Sequence, residues 1–227
     1  MRLLALDTST ECCSAALLLG EEFRLRYELT ERGHAERILP MIDSLLAEAG
    51  LGLRDLDGLA FGRGPGAFTG LRIATGVVQG LAFGTGLPVA PVSSLAAVAC
   101  QVPAAAGERV LVCNDARMGE VYWGVFPAGP DAGALGTPDE RVSPPEAVWQ
   151  VAVAEHVAGN ALTRYPGLRE QLSGAGLRVH EGLWPRADAV ARLGARVLRE
   201  GRGVAAEQAQ PVYVRDQVVR TPVTAMS

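Results

Sequence analysis

The 227-residue sequence predicts an α/β fold made of two small units of similar order. Three observations lead there. The chain is long for one compact α/β unit and comfortable for two. It opens with three strand patterns joined by tight turns, an antiparallel meander, before any helix. Past residue 107 the same order returns loosely. It is the order of a duplicated βββαβα unit, although residue-level repetition is too weak to prove one.

Residues 3–6 are a short apolar strand ending in Asp7-Thr8-Ser9-Thr10. Residues 12–19 form a second strand, and Gly20, Glu21 and Glu22 turn the chain. Residues 23–29 alternate apolar and charged side chains, the mark of a half-exposed strand. A helix over 34–49 follows from the stripe Ile38, Ile42, Leu45, Leu46 and Ala49, widened by Leu39 and Met41. Pro40 falls in its first two turns and should strain or kink the start. Gly50 and Gly52 end it. Residues 56–61 read as a strand.

The stretch 61–86 is the one the rest of the chain presents. It opens as a glycine-proline turn, Gly62-Arg63-Gly64-Pro65-Gly66. It continues as a helix over 67–84 with glycine at every fourth position: Gly76, Gly80 and Gly84. Each helical glycine costs about 1 kcal/mol relative to alanine. The cost is best explained if a helix, the sheet or a ligand lies close to the backbone. A strand over 88–92 follows, and Ser93 or Ser94 caps a helix over 95–100.

Residues 103–107 read as a linker, which divides the chain into 1–103 and 104–227. The second part shows strands at 110–114 and 120–126 and a proline- and glycine-rich loop over 127–138. A helix starts at Pro144-Pro145-Glu146 and runs to about 151. A strand over 156–159, a helix or turn over 162–172 and a strand over 177–180 come next. A helix over 187–199 carries Val190, Leu193, Val197 and Leu198 on one side, and the tail over 211–215 is extended.

Composition excludes several chemistries. All 21 basic residues are arginine, so no Walker A lysine, Schiff-base lysine or lysine general base is possible. A net charge of −4 argues against a dedicated nucleic-acid binder. Cys12, Cys13, Cys100 and Cys113 form no CxxC pair, so zinc spacing is absent. The start passes directly into a strand pattern with no signal peptide, which sets the expectation of a reducing cytoplasm. The 69–84 run carries Arg72 and Gln79 and falls short of the roughly 20 apolar residues of a membrane span.

Asp7-Thr8-Ser9-Thr10 stands at a strand end before a second strand. In kinases and ATPases of the actin-like superfamily a similar strand–Asp-x-Gly-Thr–strand hairpin holds nucleotide phosphate and metal. Here Ser9 replaces the glycine, and its side chain hinders approach of a phosphate to the backbone. Asp7, Ser9 and Thr10 are therefore vestigial candidates at most, and a hairpin-closing Asx/Ser turn is the plainer reading. His34 begins a helix, but position i+4 is Ile38, which cannot ligate a metal; a helix-start hydrogen bond suits it better. His156 and His180 are distant in sequence. The glycine turn could be an anion nest at a helix N-terminus or a simple chain reversal. Asp115 and Arg117, with Glu120 nearby, read as a polar surface turn. Arg192, Arg196 and Arg199 share a helix face that is solvated or touches nucleic acid.

Three segments carry a resemblance: 3–17 (LLALDTSTECCSAAL), 33–46 (GHAERILPMIDSLL) and 58–95, which holds GRGPGAFTGLRIATG. They resemble the bacterial TsaB (YeaZ-type) family, most densely over residues 1–100. The segments Asn114-Asp115-Ala116-Arg117 and Pro211-Val212-Tyr213 are similar too. The resemblance implies a two-lobed actin-like ATPase fold, each lobe RNase H-like with a mixed sheet flanked by helices. It implies a partner protein, without catalysis of its own, of the machinery that puts threonylcarbamoyl on an adenosine of tRNA. The implied partners are a catalytic sister subunit of TsaD type, a small ATPase of TsaE type and, when alone, a second copy of itself. tRNA would be met only through the complex. No cofactor is expected in the isolated chain, and a nucleotide at the complex interface stays open. The alternative is an ATP-dependent kinase or a metal-dependent hydrolase or peptidase of the same fold.

Two consecutive helices suggest where a partner docks. Ile38, Ile42, Leu45 and Leu46 on the first, with Met41, spread wider than one core-facing stripe. On the second, Leu71, Ile73, Val77, Val78, Leu81 and Phe83 nearly surround the helix, with Arg72 and the glycines Gly76, Gly80 and Gly84 among them. A helix that is apolar all round is buried all round, and one sheet covers one side. The expected contact is a helix pair against an equivalent helix pair, with Val77 and Gly80 guessed to face outward.

Overall fold

The computed structural model describes residues 1–132, 139–148 and 153–215. The apolar run at the start becomes β1 (Arg2–Asp7), which pairs antiparallel with β2 (Cys12–Leu19). β2 pairs antiparallel with β3 (Glu22–Leu29). On the other side of β1, β4 (Gly58–Gly64) and β5 (Val89–Ser93) are added in parallel. Parallel neighbours need crossovers, and α1 (His34–Ala49) and α2 (Phe68–Thr85) supply them. β1 and β2 are buried almost throughout, as central strands are. β3 lies at the edge, where Arg24 and Arg26 pair with Glu48 of α1, charges that blunt an exposed edge.

The second sheet repeats the path. β6 (Arg109–Asp115) takes β7 (Val121–Pro127) and β8 (Arg141–Ser143) antiparallel on one side, and β9 (His156–Ala158) and β10 (Arg178–His180) parallel on the other. The orders β3-β2-β1-β4-β5 and β8-β7-β6-β9-β10 match position for position. Topology thus shows the duplication that residue similarity could not. The remaining helices are α3 (Ser94–Ala99), α4 (Pro145–Val148), α5 (Ala161–Arg164), α6 (Pro166–Gly174) and α7 (Ala187–Arg199).

Three apolar layers hold these parts together. Leu4, Leu6, Leu17 and Phe61 meet Ile38, Ile42, Leu45, Ala74 and Val78 beneath α1 and α2. Leu111, Trp123 and Val157 meet Leu162, Leu168 and Leu172 on the far side of the second sheet. The middle layer is continuous between the sheets: Leu3, Ala5, Ala60 and Ala90 of the first, α3 and α7, then Val110, Val112 and Phe126 of the second. α7 packs against β1, β2, β4 and β5. A side chain at its Gly194 would come within 2.5 Å of the Ala60 methyl, so that glycine permits close helix–sheet contact. The strands of the two sheets lie on either side of 103/104, while α7, from the second half of the chain, packs on the first sheet.

Smaller differences have local causes. The Ser93 hydroxyl accepts from the Ala96 N–H at 3.0 Å, so the α3 helix starts one residue before the expected 95. The expected helix or turn over 162–172 is two helices broken at Tyr165, which precedes Pro166. α1 continues through Pro40, which lies on its exposed side. β8 was not foreseen, being three residues long at a sheet edge. Residues 149–152, where the helix from Pro145 was expected to end, and 133–138 of the long loop lie outside the described residues. Among the described residues no helix is long and apolar enough to cross a membrane.

Candidate functional site

A cleft of about 620 Å³ opens between the lobes. It is walled by the β1–β2 turn, the starts of α1 and α2, the β6–β7 turn and residues 212–215. At its base the Asp7 carboxylate is completely buried. One oxygen accepts from the Ser9 N–H (2.8 Å) and the Ser9 hydroxyl (2.7 Å), and the other from the Ser94 hydroxyl (3.1 Å). A Cβ at Gly62 would stand 1.7 Å from that second oxygen, so Asp7 lies flat on the β4 backbone. Burial outweighs these hydrogen bonds and raises the Asp7 pKa to about 6.

The turn carbonyls are covered as well. The Ala67 N–H donates to the Ser9 carbonyl at 2.7 Å, and the Thr8 hydroxyl donates to the Gly70 carbonyl at 2.7 Å. A Cβ at Gly66 would meet the Ser9 carbonyl oxygen at 2.4 Å, and one at Gly70 the Thr8 carbonyl oxygen at 1.9 Å. The amide of Ala67, the residue that precedes α2, is thus spent on Ser9. Asp7 as it stands does not fit a metal ligand, because it is buried with both carboxylate oxygens engaged. Asp7 and Ser9 form an Asx turn, and the Thr10 hydroxyl accepts from the Cys12 N–H at 3.3 Å.

Asp7 has a testable signature. A carboxyl raised from 3.8 to about 6 by folding contributes stability that is fully present below the unfolded pKa and lost as pH rises through the folded one. The span is worth about 3 kcal/mol. Asp7→Asn should therefore gain on the wild type by up to that amount between pH 4 and pH 7. Urea unfolding of both proteins across this range measures the difference, and parallel profiles would refute the assignment.

The neighbouring polar groups are brackets between elements. The His34 Nε2–H donates to the Thr10 carbonyl at 2.9 Å, tying the start of α1 to the turn. Arg117 pairs with Glu11 across the cleft, and its other amino group lies 3.4 Å from Asp115. Asn160 joins both lobes: its amide donates to Glu11 (3.1 Å) and accepts from the Asp115 N–H (2.8 Å). Tyr165 donates to Asp115 at 3.0 Å. Asp115 and Arg117 form an interlobe clamp, which the sequence reading took for a surface turn. Its partners Glu11 and Asn160 were missed, because nothing local marks a contact across more than 100 residues. His156 and His180, distant in sequence, meet at 2.8 Å, and His156 also contacts Glu108 at 3.0 Å. That hydrogen bond is the main cause holding the Glu108 carboxyl down near 2. Among the described residues no group of three side chains could hold a metal.

The outer face of α2 is different in character. Phe68, Arg72, Gly76, Gly80, Phe83 and Gly84 are exposed, with Ile73, Val77 and Leu81 half-buried beside them. Phe83 is 63% exposed and Phe68 53%. A Cβ built at Gly76, Gly80 or Gly84 meets nothing within 4 Å. Six of the glycines of 61–86 thus fall into two sets: Gly62, Gly66 and Gly70 admit Asp7 and the β1–β2 turn, while Gly76, Gly80 and Gly84 face open space. Ile38, Ile42, Leu45 and Leu46 of α1, expected on the partner surface, are instead at most 7% exposed in the lobe's own core. The stripe was wider than usual because both the sheet and α2 pack on α1. Val77 also packs partly into that core.

Comparison with known proteins agrees with this architecture. The family model for TsaD, tRNA N6-adenosine threonylcarbamoyltransferase, matches residues 27–132. The activator of the 2-hydroxyisocaproyl-CoA dehydratase from Clostridium difficile, solved with bound ADPNP, is 11% identical. It aligns over 89% of this chain and 97% of its own with a TM-score of 0.51, a likeness of fold alone. The fold is the two-lobed actin-like ATPase type. YeaZ from Pseudomonas aeruginosa superposes with a TM-score of 0.80 at 44% identity, over 93% of this chain and 99% of that one. The tRNA threonylcarbamoyladenosine biosynthesis protein TsaB of Escherichia coli (strain K12) is 42% identical over 223 residues, 96% of each chain. With that extent of identity and the same two-lobed fold, the chain belongs to the TsaB (YeaZ-type) family.

Proposed function

We propose that this chain is a non-catalytic scaffold or activator subunit of the complex that installs threonylcarbamoyl on an adenosine of tRNA. It pairs with a catalytic sister subunit of TsaD type through the outer face of α2, and a small ATPase of TsaE type joins the assembly. The observation that carries the reading is the row Gly76, Gly80 and Gly84 on an exposed helix face with open space above it. Three helical glycines cost about 1 kcal/mol each, and nothing among the described residues packs on them to repay it. A partner helix approaching close to the backbone would. Arg72, Gly76, Gly80 and Gly84 form the centre of this surface, Ile73, Val77 and Leu81 its inner margin, and Phe68 and Phe83 its apolar ends. In the absence of the sister subunit a second copy uses the same surface. The buried, hydrogen-bonded Asp7 turn supports the non-catalytic part of this reading.

A net charge of −4 gives the chain no long-range attraction for tRNA. Arg192 and Arg199 are exposed on α7, Arg192 lying over the Phe23 ring at 4.8 Å, and they contribute to tRNA contact only in the assembled complex.

Gly80→Arg tests the interface. The position is exposed, so the isolated variant should keep its circular dichroism and melting temperature. Its co-purification with the sister subunit should be lost, because the side chain lies at the centre of an interface of roughly 800 Å² per partner. Normal assembly by the folded variant would place the interface elsewhere. Val77→Glu is a poorer probe, since Val77 supports the core.

A further inference from the structure

Residues 211–215 have no regular secondary structure, yet they hold specific partners in both lobes. In the first lobe the Val212 N–H donates to the Arg63 carbonyl at 2.8 Å, at the irregularity of β4 between its Gly62–Val92 and Gly64–Ser93 pairings. The Val212 carbonyl lies so close to Gly64 that a Cβ there would be 2.9 Å away. The Tyr213 ring packs on Phe68 with centroids 5.4 Å apart, and its hydroxyl accepts from Arg72 at 3.4 Å. In the second lobe the Arg215 guanidinium donates to the Ala116 carbonyl at 3.0 Å, pairs with Glu120 and lies over the Tyr122 ring at 5.9 Å. Arg215 and Glu120 are 15% and 22% exposed, so their pairing is largely shielded from water.

The placement of these contacts has a second consequence. Val212 and Val214 line the 620 Å³ cleft on one side and a second cleft of about 600 Å³ on the other. Val212 and Val214 thus stand between the two openings. Residues 211–215 also join the end of β4 and the start of α2 to the β6–β7 turn, where Arg117 and Met118 hold left-handed φ angles of 61° and 55°. A non-glycine residue keeps that conformation when its surroundings hold it. Arg215 on the carbonyls of that turn is one such hold.

We infer that residues 211–215 are an interlobe latch. Arg215 locks into the β6–β7 turn, Val212 locks onto β4, and together they fix the separation of the lobes and keep the two clefts apart. The inference does not depend on what docks on α2.

The test uses the full chain. Amide hydrogen exchange is followed in wild type and Arg215→Ala. Exchange should rise about tenfold or more in residues 64–71 and 116–120, while amides of β1 and α7 keep their protection. Spin labels at Glu36→Cys and Arg164→Cys, exposed positions in opposite lobes, should give a longer and broader distance distribution in the Arg215→Ala background. The native cysteines are buried and should stay unlabelled. Should Arg215→Ala fail to fold, Glu120→Gln, which keeps the shape and removes the charge, should shift both readouts in the same direction. Unchanged exchange and distances in a folded variant would overturn the latch and leave 211–215 as passive packing.

Discussion

Gly70→Val should destabilise the isolated protein by at least about 3 kcal/mol. The first added carbon would stand 1.9 Å from the Thr8 carbonyl oxygen, a backbone atom with no room to retreat. Thr8 is held by its own hydroxyl on the Gly70 carbonyl, and Ser9 by Asp7 and by the Ala67 N–H. Relief requires moving the start of α2 away from β1, which opens the layer of Leu6, Phe61 and Ala74 beneath it. For a chain of this size the loss lowers the melting temperature by about 10 °C. Thermal and urea unfolding measure it. A loss below about 1 kcal/mol would show that the turn and helix are not in contact as described.

The outer glycines should respond in the opposite sense. Changing Gly76, Gly80 and Gly84 together to alanine should stabilise the isolated chain by about 2–3 kcal/mol, since each methyl enters open space and improves the helix. The same three methyls should weaken association with the sister subunit by about a hundredfold or more, each overpacked group costing about 1 kcal/mol where backbones approach closely. Melting curves of the lone protein and titration calorimetry of the pair read the two effects separately. A stabilised variant that binds as tightly as wild type would mean that the glycines do not serve close approach, and the docking surface would have to be sought off α2.

Much of the fold was legible from periodicity. The bounds of β2, α1 and α7 follow from an apolar run closed by a turn or from a helical stripe with its stop signals, because such patterns are local. The replacement of glycine by Ser9 in the phosphate turn and the absence of a ligand at Ile38 were also readable, being matters of which atoms a side chain carries. Long-range placement was not. Val190, Leu193 and Val197 announce a buried helix face but not the sheet it covers, and that sheet is formed by residues about one hundred to one hundred and ninety positions earlier. The same limit misassigned Ile38, Ile42, Leu45 and Leu46: a wide apolar stripe is identical whether a neighbouring helix of the same lobe or another protein covers it. The clamp of Glu11, Arg117 and Asn160 and the role of Arg215 depend on pairing across the cleft, and a charged residue in a turn looks the same paired or solvated.

The return of α7 to the first sheet sets the order in which a ribosome can deliver a finished structure. Once residue 103 has emerged, the first five strands are available, but the face of that sheet carrying Leu3, Ala5, Ala60 and Ala90 lacks its principal cover until residue 199 follows. At about 5–20 residues per second this interval lasts several seconds, long enough for nascent apolar surface to meet a chaperone or another chain. The cover of the first sheet's inner face thus waits on a helix made about a hundred residues after its last strand.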